Sequence, residues 1–65
     1  MSLQGDIVWE GMVAQMCERL VPKISEYSDH PEAVKALKEL GREIITTLPN
    51  IPTWAYHYLD HNFHK

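Results

Sequence analysis

The stretch PEAVKALKELGREIITTL, residues 31–48, decides the fold. At about 100° per residue, Ala33, Leu37, Leu40, Ile44 and Leu48 fall on one line of a helical wheel, with Val34, Gly41 and Ile45 along its flank. Lys35, Lys38 and Arg42 share a second arc and Glu32, Glu39 and Glu43 a third, so no charge interrupts the apolar stripe. The pattern predicts an amphipathic helix from about His30 to Leu48, with Leu37 and Leu40 at the centre of its buried side. Its start is marked by Asp29 and Glu32, spaced as a capping box, with Pro31 tolerated in the first turn. Thr46 and Thr47 weaken its end and Pro49 stops it.

Toward the N-terminus, Trp9, Val13, Met16, Leu20, Ile24 and Tyr27 recur at spacings of three and four, and Met12 widens that stripe. This reads as a helix from about Asp6 to Tyr27, with Ser2 or Asp6 as its cap. Pro22 lacks the N–H that would reach the Glu18 carbonyl, so a kink is expected near Val21. The break at Ser28, Asp29 and His30 is short, which predicts an antiparallel helical hairpin. Beside the first stripe run Leu3, Ile7, Ala14, Cys17 and Val21, a second apolar strip. One hairpin partner covers only about a third of a helix's circumference. The second strip therefore needs either the C-terminal segment or another copy of the chain, which makes Ile7, Ala14, Cys17 and Val21 candidate interface residues.

Toward the C-terminus, residues 49–52 form a turn, and a shorter helix is expected from about Ile51 to Phe63 with Ile51, Ala55, Leu59 and Phe63 inside. Trp54, Tyr56 and Tyr58 flank that side as amphipathic rings. His57, His61 and His64 stand at i, i+4 and i+7 with Asp60 beside them, the only pattern in the chain suited to a divalent metal. A straight helix offers such ligands along a line, whereas a tetrahedral ion needs them to converge, so further ligands would have to come from water or a second chain. The histidine arc lies opposite the apolar side and is expected to face solvent. His30 reads as a residue of the interhelical turn.

Composition narrows the function classes. Sixty-five residues make one domain, and a chain of this size buries only about 60% of its unfolded surface, so its core needs support. The single Cys17 excludes an internal disulfide, leaving a metal or a partner. A net charge of −3, with Lys65 as the sole lysine or arginine from Ile51 onward, argues against nucleic acid. The absence of a long apolar run predicts no membrane span and no signal peptide, and one unpaired cysteine fits a reduced, cytoplasmic protein. No phosphate loop, CxxC pair, Glu-x-x-His or hydrolase-like Ser, His and Asp pattern is present, so no catalytic or cofactor-binding residue is assigned. Cys17 reads as a buried, inert thiol, and Trp9, Met12 and Met16 as core.

The expectation is a single all-α domain over residues 1–65: an antiparallel helical hairpin plus a shorter C-terminal helix, assembling as a helical-bundle homo-oligomer, most simply a dimer. Its function is expected to be that of a non-enzymatic, self-associating interaction module, a small regulatory or accessory subunit with a protein partner. The alternatives are a metal-binding or metal-responsive protein using His57, Asp60, His61 and His64, and a small subunit of a larger enzyme complex.

Overall fold

The computed structural model describes the backbone of residues 3–65 and the side chains of residues 6–65. It is all-helical, with no strand among the described residues: α1 spans Leu3–Glu26, α2 Pro31–Ile45 and α3 Thr53–His61. The most extensive packing joins α1 to α2, and α2 also packs on α3. Val13, Cys17 and Leu20 of α1, Ile45 of α2, Leu48 of the following turn, Ala55 of α3 and Phe63 beyond it form the core. Trp9, Met16, Ile24, Leu37, Ile44 and Leu59 pack around its edge.

Each helix differs at its ends from the expectation, for local reasons. α1 begins at Leu3, ahead of Asp6, which takes a place in the first turn where its carboxylate suits the positive end of the helix dipole. The cap expected of Ser2 lies outside the described residues. α1 also runs unbroken through Pro22 to Glu26. Pro22 and Glu18 are both on the exposed side, so the carbonyl deprived of its donor can be served by water. The capping box expected at α2 does not form: His30, one residue later than Asp29, is the N-cap, and no side chain bonds the first turn. Pro31 at the first helical position lessens the need, because it has no N–H to satisfy.

The C-terminus of α2 comes three residues before Leu48 because the two threonines satisfy its last carbonyls. Thr46 Oγ1 donates to the Glu43 carbonyl at 2.7 Å and Thr47 Oγ1 to the Ile44 carbonyl at 2.6 Å. The backbone N–H groups of Thr47 and Leu48 donate to the carbonyls of Ile44 and Ile45, tightening the last turn and folding Leu48 into the core. α3 closes through a bifurcated bond, with the N–H groups of Asn62 and Phe63 both donating to the Tyr58 carbonyl at 2.9 and 2.8 Å. That turn sends Phe63 inward, off the helical path that was expected to continue to it.

The centre of the buried side of α2 also differs. Leu40 is 45% exposed, while Gly41 and Ile45 are buried. The buried centre, through Gly41 and Ile45, is rotated by about 90° from the line through Leu37 and Leu40, on a helix that packs against both α1 and α3. A Cβ on Gly41 would stand 2.6 Å from the Phe63 ring. The missing side chain is the notch that seats Phe63, whose other face stacks on Tyr58 with centroids 5.6 Å apart.

The molecule measures 42 × 17 × 15 Å, and its radius of gyration of 12.3 Å exceeds the value of about 11 Å typical for this length. The elongation comes from α1, whose 24 residues span about 36 Å against about 22 Å for the 15 of α2. Trp9 Nε1 donates to Thr47 Oγ1 at 2.7 Å, so the end of α2 reaches α1 at Trp9, and the residues of α1 before it extend past that point.

Candidate functional site

The expected histidine cluster comes apart at the end of α3. His57 and His61 are within the helix with ring centroids 4.7 Å apart, and both are exposed, as is Asp60. His64 lies beyond the helix end and turns toward α2, where it lines a groove with Lys35, Lys38 and Arg42. The bifurcated turn that inserts Phe63 is the cause, since it takes the chain off the helical path one residue before His64. Among the described residues, no group of three His, Cys, Asp or Glu side chains converges on a point that could hold a metal ion. The pair His57 and His61 is what the structure leaves of the four proposed ligands.

The second strip of α1 is divided. Leu3 lies outside the described side chains; of the rest, Cys17 is fully buried, Ala14 and Val21 are half-buried, and Ile7 stands free, at 63% exposed. α3 occupies that side: Trp54 Nε1 donates to Glu10 Oε1 at 3.0 Å, and at the other end of α3 His61 and Asn62 meet Val21 and Ile24 across a cleft. Cys17 is therefore filled from within its own chain. Burial pushes its thiol above the ordinary cysteine range, which keeps it protonated and unreactive near neutrality. The phenol of Tyr58 is also held above its usual value, first by burial and then by the charge of Glu18 and a thiolate at Cys17.

The exposed apolar surface lies elsewhere on α1. Ile7, Val8 and Met12 are 63%, 59% and 49% exposed, so Met12, expected in the core beside Trp9 and Met16, lies outside it, and a Cβ on Gly11 between them would meet nothing within 4 Å. On the wheel these residues and Gln15 share one outward arc of about 140°, with no charge among them. Farther along the same arc come Glu18, Arg19, Lys23 and Glu26, so the outer face of α1 changes from neutral to charged at its midpoint. Val8 belongs to neither apolar strip read from the sequence, although its i, i+4 spacing to Met12 puts the two on one face. The signal that could have found the patch is this lack of charge on the arc opposite the core.

No protein-family model, curated protein or solved structure matches the chain. Among the described residues, no helix is long and apolar enough to cross a membrane.

Proposed function

We propose that the protein is a non-enzymatic interaction module that self-associates through the N-terminal half of α1 and serves in the cytoplasm as a small accessory or regulatory subunit. The unit that associates is the antiparallel hairpin of α1 and α2, braced by α3. The observation that carries this reading is the uncharged outer face of α1, with Ile7, Val8 and Met12 in water.

The occupant best suited to that face is a second copy. At the axis of a two-fold contact a residue meets its own copy, so a charge there meets a like charge, whereas the Ile7 to Gln15 face has none to oppose. The outer faces of α2, with Lys35, Glu39 and Glu43 exposed, lack that property. Surface area points the same way. The chain exposes 4808 Å², against about 4300 Å² for a monomer of this mass. The surplus is a large share of the roughly 800 Å² per partner that a stable interface buries.

Light scattering at micromolar concentration tests the reading. The expected mass is twice 7.6 kDa, and Val8→Lys combined with Met12→Lys should halve it while leaving helicity unchanged. A native mass of 7.6 kDa would remove the basis for self-association. The approach of His57 and His61 favours a second reading, weak divalent-metal binding, for which zinc titration of the native chain and of His61→Gln is the direct comparison.

A further inference from the structure

Four of the chain's six lysines and arginines, Lys35, Lys38, Arg42 and Lys65, line a single groove of about 590 Å³, with His64 beside them. Glu39 is the one acidic residue among those that line it. Among the described residues, an ion pair joins Lys23 to Glu26, and no carboxylate pairs with the four groove cations. Positive charge is thus gathered and left unpaired in one place on a chain of net charge −3.

The groove is built by the fold rather than by one helix. Lys35, Lys38 and Arg42 follow each other along α2 over about 10 Å of axis. His64 and Lys65 arrive from the far end of the chain because Phe63 is seated against Gly41. Arg42 ties the two parts together by donating from its guanidinium to the Phe63 carbonyl oxygen. That neutral acceptor orients the guanidinium without cancelling its charge.

We propose that this groove binds a small polyvalent anion of the oligophosphate class. The cations are spread too far along α2 for one phosphate to reach them all, so the ligand needs several anionic groups in a row. The volume lies within the range of about 300–1,000 Å³ usual for small-molecule sites. A long nucleic acid is disfavoured, since outside the groove Arg19 and Lys23 stand against eight carboxylates that would repel its continuation. An acidic peptide is disfavoured too, because helical walls give it no sheet edge to pair with and the only apolar lining is Pro31 and Val34.

Calorimetric titration of the full chain with inorganic triphosphate, at low and constant ionic strength, tests the proposal. Saturable binding at one site per chain is expected. Lys38→Gln and Lys65→Gln should each weaken it about tenfold, the effect of losing one charge-assisted hydrogen bond. Lys23→Gln, outside the groove, should leave it unchanged. Thermal melts of the three variants should match the parent, since these side chains serve no core contact. Heat that never saturates, equal weakening by Lys23→Gln, or tighter binding of a glutamate-rich peptide or a single-stranded oligonucleotide would each overturn the assignment. The measurement is independent of the state of association, which light scattering reads separately.

Discussion

Gly41→Ala is the substitution that most directly probes how this chain is held together. The added Cβ would lie 2.6 Å from Cδ2 and Cε2 of Phe63 and 2.7 Å from Cγ, so a whole edge of the ring is in the way. Phe63 is fully buried and stacked on Tyr58 at an interplanar angle of 14°, which leaves it no room to slide. Complete ejection of a buried phenylalanine costs about 3–5 kcal/mol. Alanine recovers about 1 kcal/mol of that through its helix propensity. The net loss is about 2–4 kcal/mol, a large share of the roughly 3–10 kcal/mol a chain of this length has in total. Urea melts of the single and double variants with Phe63→Ala form the decisive cycle. Once the ring is gone the clash is gone, so Gly41→Ala in the Phe63→Ala background should be stabilising by about 0.5–1 kcal/mol. An equal destabilisation in both backgrounds would show that Phe63 is not what the glycine accommodates.

Other consequences can be checked on the same material. Ile45→Ala should cost about 2–5 kcal/mol by urea melts, whereas Leu40→Ala, at a half-exposed position, should cost less than about 1 kcal/mol. Gly11→Ala adds a methyl group in open space, so it should raise stability by about 0.5–1 kcal/mol while lowering the associated mass in light scattering if two α1 helices approach closely there. Trp54→Phe removes the bond to Glu10 and should cost about 1 kcal/mol in thermal melts, less than a fully buried bond to a carboxylate would. The raised values of Cys17 and Tyr58 mean that the folded chain holds their protons more tightly than the unfolded chain does. Stability from this source is therefore complete below the unfolded thiol value and falls as pH rises beyond about 8.5, and Tyr58→Phe should flatten the alkaline part of a melting-temperature profile.

Three helices could be read from the sequence because apolar spacing and proline placement are local properties. Trp9, Val13, Met16, Leu20 and Ile24 of α1 and Ala55 of α3 point where the spacing said, whereas Phe63 reaches the core by a turn outside the helix. The rotation of α2 could not be read, because a broad apolar arc does not reveal how many neighbours divide it. Leu40 and Ile45 are equally apolar, and only the arrival of Phe63 beside Gly41 decides which of them is inside. The early end of α2 had a visible cause in Thr46 and Thr47, whose hydroxyls bond carbonyls one turn back, but their effect on Leu48 depended on a core already in place.

The same distinction separates the two histidine expectations. His57 and His61 are four residues apart within a helix, so their approach follows from helical geometry alone. His64 keeps the regular spacing in the sequence, yet Phe63 lies between it and the helix, and burying that ring outweighs one more turn of hydrogen bonds. Insertion of Phe63 thus removes a metal ligand from one face and delivers His64 and Lys65 to another, opposite Lys35, Lys38 and Arg42. The arc of α2 cations was visible in the sequence, and on a lone helix it reads as a solvated face. What makes it one wall of a groove is a contact between residues 41 and 63, which no pattern confined to α2 contains. Gly41→Ala should accordingly disturb the groove as well as the core, linking its occupancy to the same packing that sets stability.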